Sequence, residues 1–205
     1  MKLTVFGATG GIGRHLVEQG LRLGHEMTAV VRREFDVPGV TVVHATLDDA
    51  AALEAAVAGR DAVLTALGQR KGGPPTVQAD GARAAVAAMR ATGVRRIVSV
   101  DAAGRVADRG DSLLMRTVAK PIVQRILKDN FDDLAEAERV LRASGLDWTL
   151  ISPPRLTDGG HRPYRTVIDR NVRGGRTLSR ADVADAMLKS LRDDAHIHRR
   201  VNIAY

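Results

Sequence analysis

The chain has 205 residues, no cysteine and a formal net charge of +7, with 44% hydrophobic and 27% charged residues. This length suffices for one domain with a substantial core, and the composition is ordinary for a globular protein. The lack of cysteine excludes disulfides, thiol nucleophiles and cysteine-ligated metals. The sequence starts with a short strand pattern and has no apolar stretch of membrane-spanning length, so we expect a cytoplasmic protein without a membrane segment.

The positive charge raises the question of nucleic-acid binding, and other features argue against it. Aromatic residues make up only 3% of the chain, which leaves few side chains to stack on single-stranded bases. There is no basic recognition helix and no zinc-finger spacing. The segment between residues 155 and 180 contains seven arginines and only two aspartates. This segment is either a solvated basic surface or a cleft that attracts anions.

The first hundred residues alternate short apolar strands with helical patterns. The predicted strands are Lys2–Phe6, Met27–Val31, Val40–His44, Ala62–Ala66 and Arg96–Val100. The predicted helices are Gly11–Gly24, a segment from an Asp48 cap to Ala58, and Pro75–Thr92.

Residues 112–127 interrupt this alternation, because apolar side chains recur there every four residues and Pro121 is expected to bend the helix. We favour a helix packed over the sheet edge, with a lid over a cleft as the alternative. The predicted elements that follow are a helix at Asp132–Ala143, a strand at Trp148–Ile151, a loop-rich segment 152–178 with a short strand at Thr166–Ile168, a helix from a Ser179 cap to Leu191, and a strand at Val201–Ala204.

Repeated alternation of strands and helices predicts an α/β fold, a doubly wound parallel sheet with helices on both faces. No internal repeat, low-complexity tract or linker divides the chain. We therefore predict a single domain over residues 1–205. Its last third adds a small C-terminal cap on the substrate side, and the substrate-side elements lie mainly at 102–130 and 152–178.

Three glycines spaced three residues apart directly follow the first strand and open the first helix. Gly7 would permit a tight turn, Gly10 would let the backbone approach a pyrophosphate, and Gly13 would let helix and strand pack closely. The free amides and the helix dipole at this position favour an anion. The stretch predicts a Rossmann dinucleotide-binding site, with a glycine-rich turn that holds no ligand as the alternative.

The end of the second strand bears on the choice of cofactor. NAD-selective sites usually carry an acidic residue there, whereas a 2′-phosphate requires cations. Here Arg32 and Arg33 occupy this position. Guanidinium groups bind phosphate in a bidentate manner and keep their charge, so we predict NADP(H) over NAD(H). The alternative is that both arginines are ordinary surface residues. The acidic neighbour Glu34 keeps this alternative open.

The spacing GxxGxxG resembles that of the atypical short-chain dehydrogenases/reductases that bind NAD(P)H, a family that includes biliverdin reductase B–flavin reductase-like and NmrA-like proteins. The resemblance covers nearly the whole chain, in the stretches GATGGIG, VVRR, AGRDAVLTALGQR, DGARAAVAAMRATGVRRIV, VLRASGLDWTLISPPRL and SRADVADAMLKSL.

The resemblance implies a role for several residues along the strand ends. Those that would hold the pyrophosphate are Gly7, Thr9, Gly10, Gly11, Ile12 and Gly13. Arg32 and Arg33 would hold the 2′-phosphate. The residues that would border the adenosine are Leu67 and Gly68, with Thr46 where relatives often carry an aspartate near the adenine. Those that would flank the nicotinamide are Val100, Asp101, Pro153 and Pro154.

The chain departs from the family where an acid–base group is expected. The family's Tyr-x-x-x-Lys motif is missing, because Ile168 stands four residues after Tyr164. Ala102 and Arg155 replace the serine and histidine of the reductase B pattern. Ser99 and Asp101 lie near the site, but their alternation does not establish which of them faces it. No catalytic residue is therefore assigned, and Arg155 and Tyr164 are candidates for substrate binding.

Two functions follow from this resemblance. The first is an NADPH-dependent reductase that passes hydride to an aromatic or conjugated acceptor, such as a flavin, tetrapyrrole or quinone. Such an acceptor needs proximity to the nicotinamide more than a placed acid. The second is a non-catalytic NADP(H) sensor of the NmrA type with a protein partner. We expect no metal site, because His196 and His198 lack a supporting cluster of carboxylates.

Overall fold

The computed structural model of the chain describes residues 1–69, 73–105 and 128–205. The helix predicted at 112–127 lies outside these residues. The strands are β1 (Lys2–Phe6), β2 (Glu26–Val31), β3 (Val40–His44), β4 (Ala62–Thr65), β5 (Arg96–Val100), β6 (Asp147–Ser152), β7 (Arg155–Thr157), β8 (Arg165–Ile168), β9 (Thr177–Ser179) and β10 (Arg199–Ala204). The α-helices are α1 (Gly11–Arg22), α2 (Ala50–Val57), α3 (Val77–Thr92), α4 (Lys128–Arg142) and α5 (Arg180–Ser190). Short 3₁₀ turns occupy Ala103–Arg105 and Asp194–His196.

Eight of these strands form one sheet in the order β3-β2-β1-β4-β5-β6-β10-β8. Neighbouring strands are parallel up to β10. The strand order reverses between β1 and β4, and ligands of open α/β sheets bind in the crevice at such a reversal. The predicted α/β Rossmann fold is thus confirmed.

We predicted a parallel sheet, but the edge strand β8 is an exception. It pairs with β10 in the antiparallel direction. The chain leaves β6 at the carboxyl edge of the sheet and stays there through β7. The chain then enters the sheet as β8 from that same edge, so β8 runs opposite to β6 and β10. By contrast, α5 carries the chain back to the opposite edge before β10 begins.

Helices cover both faces of the sheet and bury a separate apolar cluster on each. On one face α1 packs against α5, with buried side chains that include Leu3, Val5, Leu16, Val17, Val183 and Met187. On the other face α3 packs between α2 and α4, with buried side chains that include Phe6, Leu53, Val63, Met89, Leu141 and Trp148. No helix among the described residues is long and apolar enough to cross a membrane.

Some predicted boundaries move. Asp49, not Asp48, caps α2, and its carboxylate accepts a hydrogen bond from the Ala52 amide at 3.1 Å. Helix α4 starts at Lys128, earlier than the predicted Asp132. The segment predicted as loop-rich contains β7 and β9, which pair in parallel as a separate two-stranded sheet. Strands of three residues are too short to show a hydrophobic period, which is why the sequence does not indicate them.

Candidate functional site

The glycine loop turns tightly between β1 and α1. Gly7 has a φ of +84°, and a Cβ there would lie 2.7 Å from the Ala66 carbonyl oxygen. The Gly10 amide donates a hydrogen bond of 2.9 Å to the Gly7 carbonyl and closes the turn. A Cβ on Gly13 would lie 2.1 Å from that same carbonyl oxygen. A side chain at Gly7 would therefore collide with the segment after β4, and one at Gly13 would force the helix away from the loop.

A cavity of about 450 Å³ opens above this loop, at the carboxyl ends of the parallel strands. This volume lies within the range of small-molecule sites. Twelve of the residues predicted for the cofactor line it: Gly7, Thr9, Gly10, Gly11, Ile12, Arg32, Leu67, Gly68, Val100, Asp101, Pro153 and Pro154. The predicted residues that do not line it are Gly13, Arg33, Thr46, Arg155 and Tyr164.

One side of the cavity, here called the Arg32 end, combines a cation with apolar walls. Arg32 directly follows β2 and is exposed, while Ala45 and Leu47 line the wall beside it. Thr46 lies between them in sequence, and its hydroxyl bonds to the Asp48 carboxyl, which lowers the pKa of that group. This end suits a negatively charged group next to a flat apolar one.

The opposite side, here called the Asp101 end, contains a buried carboxylate whose side chain is only 2% exposed. One oxygen of Asp101 lies 3.0 Å from Arg105 Nε. Its other oxygen accepts a hydrogen bond of 2.9 Å from the Ser152 hydroxyl and lies 3.0 Å from Arg200 Nε. The two guanidiniums and the hydroxyl hold this carboxylate in one orientation.

A second acid, Glu138 of α4, completes this network. It pairs with Arg105, with Arg200 at 2.5 Å and with Arg142 at 2.8 Å. Burial alone would raise the pKa of Glu138, but the arginines outweigh burial and hold that pKa below its ordinary value. The same carboxylates hold the pKa of Arg105 above its ordinary value against the effect of burial. The network therefore pairs both of its buried carboxylates with arginines.

The structure distinguishes the two polar residues at the end of β5 that the sequence left open. Asp101 lines the cavity. The Ser99 hydroxyl instead accepts a hydrogen bond of 2.7 Å from Thr65 on the neighbouring strand β4. Of the two, only Asp101 can contact a ligand in the cavity.

The remaining wall of the cavity comes from α3 and α4. Gln78 and Asn130 line it and are joined by a hydrogen bond of 2.9 Å between their side chains. Asp133 caps the start of α3 by accepting from the Gln78 and Ala79 amides at 3.0 and 2.8 Å. These contacts fix the two helices against each other and hold the wall in place.

Tyr164 lies in a different depression of the surface. Its hydroxyl donates a hydrogen bond of 2.7 Å to Asp185, and its ring lies under Lys189. Burial and the Asp185 carboxylate raise the pKa of Tyr164 well above its ordinary value. Arg155 begins β7 and is exposed. Tyr164 therefore lies outside the cavity, whereas Arg155 stands between two residues that line it, Pro154 and Leu156.

Leu156, Gln78, Asn130 and Arg180 line the cavity but were not predicted from the sequence. Arg180 is the charged member of this group, and its place in the basic segment 155–180 was the only signal that could have indicated it. Local patterns could not show that it faces Gly11, because the two residues lie at opposite ends of the chain.

Comparison with known proteins agrees with this geometry. The model of a family described as NAD(P)H-binding matches residues 7–194. The protein YwnB of Bacillus subtilis, whose function is uncharacterised, is 24% identical over 99% of this chain and 98% of its own length. An isoflavone reductase homologue of Zea mays is 39% identical over 80 residues, which span 33% of this chain and 26% of that protein.

Three solved structures share the fold. A protein from Burkholderia pseudomallei, provisionally named an exported protein, has a TM-score of 0.84, 31% identity and complete coverage of both chains. A Streptococcus pneumoniae protein, provisionally named an NADH-flavin reductase, has a TM-score of 0.79 and 25% identity over 100% of this chain and 99% of that chain. A short-chain dehydrogenase/reductase from Veillonella parvula, solved in complex with NADP, has a TM-score of 0.79 and 20% identity over 100% of this chain and 94% of that chain.

The family match covers most of the chain and includes both the glycine loop and the strand ends that form the cavity. The chain belongs to this NAD(P)H-binding family.

Proposed function

We propose that the protein is an NADPH-dependent reductase that transfers hydride to a conjugated, ring-shaped acceptor. The observation that carries this proposal is the composition of the cavity wall. Among the described residues that line it there is no tyrosine, histidine, lysine or serine, and the Asp101 carboxylate is already bound by Arg105, Arg200 and Ser152. None of these described residues is placed as a free acid, and such a set of lining residues suits an acceptor that can take its proton from water.

The glycine cradle fits a dinucleotide. A side chain at Gly7 would collide with Ala66, one at Gly13 would collide with Gly7, and a Cβ on Gly11 would lie 2.6 Å from Arg180 Cδ. Glycine at these positions lets the chain turn tightly into α1, and the first amides of a helix are a favourable site for a phosphate. When bound, a reduced nicotinamide would supply the hydride.

Arg32 supports NADPH as the preferred form. It lines the cavity at the end of β2, where the 2′ position of the adenosine ribose lies in related folds. Arg33 is exposed beside it and adds positive charge without lining the wall. The V. parvula relative was solved with NADP, which agrees with this preference.

Apolar side chains at the Asp101 end support a flat acceptor. Pro153, Pro154, Leu134 and Leu156 line this part of the wall. Such a surface can hold a ring against the nicotinamide, and proximity then supplies much of the rate enhancement. A flavin is the acceptor class that best agrees with the provisional name of the S. pneumoniae relative.

The alternative is a sensor that binds NADP(H) and a protein partner without chemistry. The same lack of a proton donor favours it, because a sensor needs none. The two functions differ in turnover and share cofactor binding.

The deciding experiment follows the absorbance of NADPH with FMN, riboflavin, biliverdin and several quinones as acceptors. We expect oxidation with at least one of them. The matched control is Asp185→Asn, which alters the separate Tyr164 depression and should leave the rate unchanged. Tight NADPH binding without oxidation by any acceptor would contradict the reductase and favour the sensor.

We also propose that the protein works in the cytoplasm, where NADPH is available to a reductase. Support comes from the cofactor preference. Fractionation of cells that express the native chain would test this, and recovery outside the cytoplasm would contradict it.

A further inference from the structure

A small sheet places an ion pair beside the glycine loop. In the parallel pair β7–β9, Thr157 is in register with Ser179, so the residues that directly follow the two strands, Asp158 and Arg180, lie side by side. Their side chains form an ion pair. The Arg180 side chain is 31% exposed, whereas that of Asp158 is 88% exposed.

The stem of Arg180 extends over the start of α1. A Cβ built on Gly11 would lie 2.6 Å from Arg180 Cδ and 3.0 Å from its Nε, so a larger residue there would require the Arg180 side chain to move. Arg180 also lines the cavity. A cation thus lies directly at the helix N-terminus where the cradle exposes its amides.

We propose that Arg180 binds the nicotinamide-side phosphate of the dinucleotide and that Asp158 holds Arg180 in place until the cofactor arrives. The inference rests on NAD(P)H binding by the family and is independent of the proposed acceptor. Asp158 competes with the cofactor for the same guanidinium.

The exchange of partners is favourable because the two anions lie in different surroundings. Asp158 is almost fully in water, where ion pairs contribute little. A phosphate at the start of α1 would be shielded by the cavity wall and would also bind the helix amides. A guanidinium contacts phosphate with two parallel hydrogen bonds, which adds to this advantage.

The position of Arg180 selects one phosphate of the pair. Arg180 lies against Gly11 and follows β9, which pairs with β7, the strand next in sequence to β6, whereas Arg32 follows β2 on the other side of β1 in the sheet order. If Arg32 meets the adenosine ribose, the phosphate nearer Arg180 is the one that bears the nicotinamide ribose. A fragment that lacks this phosphate should therefore be insensitive to Arg180.

The test measures the affinity of purified wild type and variants for NADPH, by fluorescence, and for 2′,5′-ADP, by calorimetry. We expect Arg180→Ala to weaken NADPH binding by about 10- to 100-fold, the factor for a lost hydrogen bond to a charged group. Binding of 2′,5′-ADP should change by less than about twofold, since only screened long-range charge is lost.

Substitution of the competing acid should act in the opposite direction. We expect Asp158→Asn to strengthen NADPH binding by about two- to fivefold, because the cofactor no longer has to break an exposed ion pair before it binds Arg180. In the double variant the effect of Asp158→Asn should disappear. Arg199→Ala is the matched control, because Arg199 also pairs with an exposed aspartate, Asp169, but does not line the cavity.

Three results would overturn the proposal. Unchanged NADPH affinity in Arg180→Ala would show that the residue does not bind the cofactor. Equal losses for NADPH and 2′,5′-ADP would place Arg180 at another phosphate or show a general charge effect. Weaker binding in Asp158→Asn would show that the ion pair supports the site and does not compete with the cofactor. None of these results depends on turnover, so they are separate from the failure of the reductase proposal.

Discussion

The two ends of the cavity are built in different ways. The Arg32 end comes from one strand–helix–strand unit, in which the glycine loop and Arg32 lie within 26 residues (Gly7 to Arg32). The Asp101 end brings together three separate parts of the chain: the segment after β5 with Asp101 and Arg105, α4 with Glu138, and β10 with Arg200. The Arg32 end is thus formed by residues close together in sequence, whereas the Asp101 end depends on the order of strands in the sheet.

The largest effect is expected from the local unit. Gly13→Ala would place a Cβ 2.1 Å from a backbone oxygen of Gly7, which no side-chain movement can relieve. We expect a loss of at least about 3 kcal/mol in the free energy of unfolding, together with loss of NADPH binding. Urea unfolding and a fluorescence titration measure the two quantities.

Gly93→Ala is the control for this substitution. Gly93 ends α3 with a φ of +76° and has open space around its Cβ position, so alanine there adds backbone strain without a clash. We expect about 1 kcal/mol of destabilisation and unchanged NADPH affinity. If both variants lost equal stability, close packing at Gly13 would not be the reason for glycine there.

The next effect tests the Asp101 end. Asp101→Ala removes a partner of two largely buried arginines and should destabilise the fold by about 3 kcal/mol. Arg32→Ala removes an exposed charge and should change stability by less than about 0.5 kcal/mol. Thermal unfolding of both variants makes the comparison, and equal stabilities would contradict a structural role for the network.

A smaller, pH-dependent effect is expected from Glu138. Its pKa is lower in the folded than in the unfolded chain, so its ionised form stabilises the fold above the ordinary pKa of 4.5. This contribution is lost as the pH falls through the lowered pKa. The stability difference between wild type and Glu138→Gln should therefore be largest near neutral pH and shrink below about pH 4.5.

Urea unfolding of both proteins across this pH range measures the difference. Other carboxylates with lowered pKa values, such as Asp182, are common to both proteins and cancel. A difference that stayed constant across the range would show that Glu138 does not contribute through its charge.

The same contrast explains how much the sequence could predict. The glycine spacing and the strand–helix alternation indicated the fold, because both are short-range patterns of residues along one chain segment. The sequence also indicated Arg32, since its position follows directly from the end of β2.

The rest of the site depends on long-range contacts. Arg180 meets Gly11 only because α1 and α5 pack on the same face of the sheet. Ser152 and Arg200 meet Asp101 because β6 lies between β5 and β10. Tyr164 was a reasonable candidate by residue type, but the loop before β8 carries it to Asp185 and away from the cavity.

The central claim is that the cavity selects NADPH through the Arg32 end. The most direct test is a fluorescence titration of wild type and the Arg32→Ala, Arg33→Ala double variant with NADPH and with NADH. We expect wild type to bind NADPH at least about tenfold more tightly than NADH, since the 2′-phosphate adds charge-assisted hydrogen bonds. The double variant should lose this preference and keep its NADH affinity. Equal affinity of wild type for the two cofactors, or equal loss of both in the variant, would contradict the claim.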